Sequence, residues 1–204
     1  MGFHVVKRVL PLLLTGLLCV TTVIADPDFP KATPVEVGLD DRLLDNLVSQ
    51  LAAAKHDMHS MLLLRRGQIV VEEYYNGYDE ARTHDLRSAT KSITSLLIGI
   101  AIDRGDIRSI DDPFVPLVEP RYPKLDLRSK RHITLRHLLT MRSGLDCDDG
   151  DRGTKGQEDR MYRSRDWLRY FLSLDEVNAP GSVTRYCTGG VVALGAVLES
   201  ATGM

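Results

Sequence analysis

The chain has 204 residues, 43% of them hydrophobic, which favours one domain, or one large piece of a domain, with a core to bury. Its formal charge is -2 with both signs interspersed. No basic stripe runs along it, so nucleic acid is excluded as an expected partner.

The first 25 residues differ in kind from the rest. Lys7 and Arg8 precede the uncharged run VLPLLLTGLLCVTTVIA, and Val23 and Ala25 supply small residues before Asp26. That is the layout of a secretory signal peptide, and it predicts a secreted or periplasmic protein with no stable membrane span after cleavage. A retained anchor is the alternative, but the run of about 16 residues is short against the roughly 20 needed to cross a bilayer. Cys19 has no small residue just before it, which argues against a lipoprotein site. Cys147 and Cys187 then remain, and in an exported chain they are either a disulfide or two isolated thiols.

Residues 26–35 are expected to be an N-terminal arm, and 36–204 the N-terminal portion of an incomplete domain. Asp40 can cap a helix carrying Leu43, Leu44, Leu47, Val48 and Leu51 on one face and ending near Lys55. HSMLLLRR and QIVVEEYY around Arg66-Gly67 predict a β-hairpin. Its first strand is continuously apolar, as in a strand covered on both faces. From Ser88 the pattern is helical, with Ile93, Leu96, Leu97, Ile100 and Ala101 as the apolar face and Gly105 as the stop. Residues 106–131 read as loop with at most a short helix. Thr134 can cap LRHLLTM, Ser164 can cap RDWLRYFLSL, and GGVVALGAVLES is a helix with Gly203 after it. The order is helix, two strands, then helices, which is not a series of βαβ units. A two-stranded sheet is marginal alone and would leave an edge open.

Ser88 and Lys91 in LRSATKSITSLL are the first candidates for chemistry. At i and i+3 on a helix their side chains are neighbours. A serine hydroxyl needs a base to become a nucleophile, and a neutral lysine amine can serve. The positive end of the helix disfavours the ammonium form, and its free N–H groups suit a developing oxyanion. The apolar face that begins at Ile93 places this end toward a core. The competing reading of the same spacing is a solvated helix start with Ser88 as its cap. Tyr186, in TRYCTGG, lies between a Pro-Gly turn and an apolar helix, and a phenolate near ammonium groups is a competent base; a packed ring with a wet hydroxyl is the plainer alternative.

Other groupings are poorer. His56 and His59 lack the glutamate of a metalloprotease helix, and His132 and His137 read as packing or surface. Asp146, Asp148, Asp149 and Asp151 lack calcium-loop spacing and are expected to face solvent. There is no G-x-S-x-G, so no α/β-hydrolase elbow is expected; there is no dinucleotide glycine motif and no P-loop, and no metal or cofactor is expected.

Taken in order, four segments resemble the serine β-lactamase and penicillin-binding-protein family, in the style of class C β-lactamases and the related esterases, D-amino-acid peptidases and 6-aminohexanoate-dimer hydrolases. They are the hairpin HSMLLLRRGQIVVEEYYNGY, the S-x-x-K helix LRSATKSITSLLIGIAIDRGDI, ITLRHLLTMRSGL, and APGSVTRYCTGGVVALGAVLESATG, which corresponds to the Y-x-N segment. The likeness covers about residues 36–204. It implies an α+β fold, an antiparallel sheet flanked by helices beside a mostly helical domain, here without the C-terminal strands. It also implies that Ser88 is acylated, that Lys91 is the base or tunes it, and that Tyr186 activates Ser88 and protonates the leaving group. The backbone N–H of Ser88 would be half of an oxyanion hole. The implied activity is an exported serine hydrolase working through an acyl-enzyme on a small-molecule or peptide substrate: a β-lactam, D-amino-acid peptide, short ester or oligoamide.

Two departures matter. Thr188 stands where many relatives have a substrate-binding asparagine, and a hydroxyl does not offer an amide's donor and acceptor together. The third family motif, K-T-G or H-x-G, is missing; TKG at 154–156 has the wrong order. A truncated or non-catalytic binding or sensor relative is therefore the alternative. The oligomeric state is left open.

Overall fold

The computed structural model describes residues 29–204. The expected signal peptide lies outside the described residues. Two compact units are present, one reaching Thr83 and the other starting at His84.

In the first unit, helix α1 (Asp41–Ala53) starts where the Asp40 carboxylate accepts from the Leu43 N–H at 3.1 Å, satisfying a donor that has no partner inside the helix. Strands β1 (Ser60–Arg65) and β2 (Gln68–Tyr74) form an antiparallel hairpin. Arg66 and Gly67 turn it with φ of 52° and 74°, the left-handed pair that matches strand twist in a two-residue turn. Two expectations change here. Strand β1 is covered on one face only: Leu62 and Leu64 are exposed while Met61 and Leu63 are partly buried, because no second layer meets that face among the described residues. The arm is also not free of the sheet. Ile69 donates to the Pro30 carbonyl and Ala32 donates to the Ile69 carbonyl, so the backbone at 30–32 lines part of the β2 edge.

The second unit is helical and holds the core. Its elements are α2 (Ala89–Asp103), α3 (Val115–Val118), α4 (Leu135–Leu139), α5 (Glu158–Tyr162), α6 (Trp167–Leu172) and α7 (Thr188–Thr202). Helix α7 packs against each of the other five. Phe114, Val115, Leu138, Phe171, Leu194 and Val197 are buried around it, and the Phe114 and Phe171 rings lie 6.4 Å apart. Burying a side chain of this size contributes about 1.5–3 kcal/mol.

Caps set several of these boundaries. Thr134 and His137 form a capping box on α4, with the His137 ring accepting from the Thr134 N–H. Gly203 ends α7 with φ 74°. Helix α6 is capped by Asp166, whose carboxylate accepts from the Arg169 N–H at 2.9 Å. Ser164, the expected cap, lies two residues too far upstream and donates instead to the Met161 carbonyl. Helix α5 begins where Gln157 accepts from the Asp159 N–H at 3.0 Å.

Helix α2 buries only Ala101 of the expected face. Ile98 and Ala101 are buried, while Ile93, Leu96, Leu97 and Ile100 are exposed among the described residues. The helix is apolar on most of its circumference, so periodicity alone does not choose the packed side. The described residues thus hold a small antiparallel sheet and many helices, a mixed α/β composition. Among the described residues no helix is long and apolar enough to cross a membrane.

Candidate active site

Helix α2 begins immediately after Ser88. Arg87 just before it adopts φ 48°, a left-handed conformation that costs energy for a side chain larger than glycine. Ser88 stands at the N-cap position but its side chain makes no capping bond. The Lys91 ammonium donates to Ser88 Oγ at 3.1 Å instead. This end of α2 does not enter a core: Ser88 is exposed and Lys91 half-buried. Both line an open cleft of about 700 Å³, together with Thr188, Glu158, Tyr162 and Trp167.

Tyr186 comes from the segment that leads into α7. Its ring centroid is 5.0 Å from Lys91 Nζ, within range of a cation–π contact, and the residue is 47% exposed. The structure therefore brings Ser88, Lys91 and Tyr186 together around the lysine. Thr188 is buried, with its hydroxyl donated to Asp149 Oδ2 at 2.7 Å. That leaves the hydroxyl's lone pairs, and not its proton, for anything in the cleft.

Cys147 and Cys187 are joined as a disulfide, at a sequence separation of 40. The bond sits between Tyr186 and Thr188. Of the acidic run, Asp148 and Asp151 make local turns through Gly150 and Gly153, and Asp146 accepts from the Lys155 N–H. Asp149 departs from the expected solvent-facing role. Its carboxylate turns inward to the N-terminus of α7, because that helix start has no capping side chain of its own. Burial pushes the Asp149 carboxyl above the ordinary carboxylate range and the nearby Glu158 charge adds to this, while the Thr188 bonds and the Lys91 charge oppose it. Burial, and then Glu158, likewise raise the Tyr162 phenol.

The residues that sequence reasoning missed are Asp149, Glu158, Tyr162 and Trp167. The Tyr162 and Trp167 rings lie 5.1 Å apart on one side of the cleft, with Tyr162 bonded to Glu158. For Asp149 a signal existed: a bond between Cys147 and Cys187 brings position 149 to residues 186–188. Among the described residues no group of histidines, cysteines and carboxylates is gathered to hold a metal ion. His56 bonds the Leu51 carbonyl, His59 stacks on Tyr78, His132 pairs with Glu176 and His137 serves the α4 cap.

Among solved structures, the chain is similar to a provisionally assigned 6-aminohexanoate-dimer hydrolase from Bacillus anthracis, at 19% identity and TM-score 0.60, over 87% of this chain and 49% of that one. It is similar to a provisionally assigned beta-lactamase from Bacteroides dorei, at 23% identity and TM-score 0.59, over 80% and 47%. A third is FmtA from Staphylococcus aureus, at 18% identity and TM-score 0.52, over 79% and 42%. The chain spans about half the length of the solved structures it matches. These likenesses establish the fold. No curated protein matches it. The family model described as Beta-lactamase matches residues 44–204, most of the sequence, and the chain belongs to that family.

Proposed function

We propose that this chain carries the acylating centre of an exported serine hydrolase that cleaves an amide or ester through an acyl-enzyme. The observation that carries the reading is the 3.1 Å contact between Lys91 Nζ and Ser88 Oγ, at the edge of a cleft and in place of a helix cap. With lysine as the ammonium, the contact runs from Nζ to Oγ; with lysine as the free amine, Ser88 donates and the amine takes its proton as Oγ attacks the carbonyl carbon. The C–O bond forms as the carbonyl π pair moves to oxygen. The main-chain N–H of Ser88 makes no hydrogen bond among the described residues, which leaves it available to that charge. As the tetrahedral intermediate collapses, Tyr186 hands a proton to the leaving nitrogen or oxygen and recovers one from Lys91. Water, activated by the same pair, then releases the acid from Ser88.

Export is supported by the charge pattern of residues 1–25 and by the disulfide, which suits an oxidising compartment. The competing reading is a binding relative without turnover, favoured by Thr188, whose hydroxyl is already donated to Asp149 and offers no amide to a substrate. A labelled fluorophosphonate separates the two. The hydrolase reading expects one adduct, mapped to Ser88 and lost in Ser88→Ala. An unmodified Ser88 after prolonged exposure, with the fold intact by circular dichroism, would leave the binding reading.

A further inference from the structure

We propose that Asp149 is a positioning residue that holds Tyr186 and the first turn of α7 against the Ser88–Lys91 pair. This rests on the hydrolase reading above.

Three hydrogen bonds carry it. The Asp149 main-chain N–H donates to the Tyr186 carbonyl at 2.8 Å. Its Oδ2 accepts from the Thr188 N–H at 2.8 Å and from Thr188 Oγ1 at 2.7 Å. Between those residues, Cys187 is bonded to Cys147. Residues 147 and 149 thus grip 186, 187 and 188 in succession, by one covalent bond and three polar ones.

Tyr186 depends on this grip. With about half its surface exposed, its ring has little packing to fix it, and its placement over Lys91 follows from the backbone at 186–188. Asp149 also supplies what α7 lacks, a carboxylate at the N-terminus of a 15-residue helix. Capping alone does not require a buried oxygen: Asp40 caps α1 as an exposed carboxylate. Here Oδ1 is buried with no hydrogen-bond partner among the described residues. That is an unfavourable arrangement, and it accords with the upward push on this carboxyl. Such a cost is tolerated at sites where geometry matters more than stability.

The plain alternative is that Asp149 only stabilises the loop. A double-mutant cycle on the full chain distinguishes the two, read as the second-order rate of fluorophosphonate labelling at Ser88. Asp149→Ala and Asp149→Asn are each made with Tyr186 present and in Tyr186→Phe. Acting through Tyr186, Asp149→Ala slows labelling about 10-fold with Tyr186 present and less than about 2-fold in Tyr186→Phe, while Asn, which keeps the acceptor oxygen, stays within about 3-fold of the parent. Equal slowing in both backgrounds, or none in either, overturns the proposal and leaves the hydrolase reading standing. Circular dichroism and a count of free thiols confirm that fold and disulfide persist. If Asp149→Ala does not fold, Thr188→Val removes one of the three bonds isosterically and runs the same cycle, with a smaller loss that also disappears in Tyr186→Phe. A parent chain that is never labelled at Ser88 defeats the hydrolase reading and this proposal with it.

Discussion

The same substitution at two glycines of α7 has opposite expected signs. A Cβ built on Gly189 comes 2.6 Å from Phe171 Cδ2 and 3.3 Å from its Cγ. Carbon atoms in ordinary contact stand about 3.5–4.0 Å apart, so Gly189→Ala forces an overlap of roughly 1 Å. The Phe171 ring has no free direction to yield, being fully buried and packed near Phe114. Overpacking of this kind costs about 1–3 kcal/mol. Replacing a helical glycine by alanine returns at most about 1 kcal/mol, so the net loss reaches about 2 kcal/mol at the upper end of the overpacking cost. Gly195 lies in the same helix, is exposed, and has nothing within 4 Å of its would-be Cβ. There only the propensity gain operates, and Gly195→Ala stabilises by up to about 1 kcal/mol. At roughly 2–4 °C per kcal/mol for a chain of this size, Tm falls by several degrees at 189 and rises by a few at 195. Trp167 is the sole tryptophan and lies at the start of α6, so its fluorescence reports urea unfolding of this unit directly. A Gly189→Ala protein as stable as Gly195→Ala would mean that α6 and α7 are not in close contact at this point.

Three further outcomes are expected. Opening the Cys147–Cys187 bond, whose loop spans 40 positions, removes up to about 4 kcal/mol on the chain-entropy estimate; an unchanged urea midpoint under a phosphine reductant, with two titratable thiols, would contradict it. Asp166 both caps α6 and accepts from the Tyr122 hydroxyl, so Asp166→Ala should cost about 1–2 kcal/mol in urea unfolding and Asp166→Asn distinctly less; equal losses would show that the oxygen acceptor is not the cause. Burial, with the nearby His132 charge, lowers the His137 pKa below its ordinary 6.5. The unfolded chain then binds the proton more readily, so the contribution of His137 is intact above about pH 6.5 and is lost as pH falls toward the depressed folded value. His137→Gln keeps a capping-box acceptor and should flatten that part of the stability–pH curve; an unaltered slope would remove His137 as its source.

Legibility from sequence followed the range of the interactions involved. Helix α1, the hairpin and helix α7 were readable because Asp40, the Arg66-Gly67 turn and Gly203 act within a few residues of themselves. The pairing of Ser88 with Lys91 was readable for the same reason, being one helical turn. Which stripe of α2 is buried was not, since Ile98 and Ile100 are equally apolar and only the partner helix distinguishes them. The Asp149 carboxylate was read as solvated because its neighbours are acidic, while its actual partner lies 39 residues away. Likewise the arm at 30–32 looked unpatterned because its order comes from the edge of β2 and not from its own side chains.

Two different constraints therefore meet at the proposed site, and they act over different distances. The separation of α2 from α7 is fixed by the core, through Ile98 and Ala101 on one helix and Ala193, Leu194 and Val197 on the other. Ile98 is seven residues beyond Lys91, about 10 Å along the helix axis, so this seam controls Ser88 and Lys91 only as a rigid body. The setting of Tyr186 is fixed locally, by the disulfide and the Asp149 bonds at residues 186–188. A change in the seam should then move Ser88 and Lys91 together, preserving their 3.1 Å contact while altering the approach of Tyr186. A change at 147–149 should turn Tyr186 and leave the serine–lysine pair as it is. Because α7 belongs to both constraints, its first turn is where the stability of this unit and the proposed chemistry would be tied.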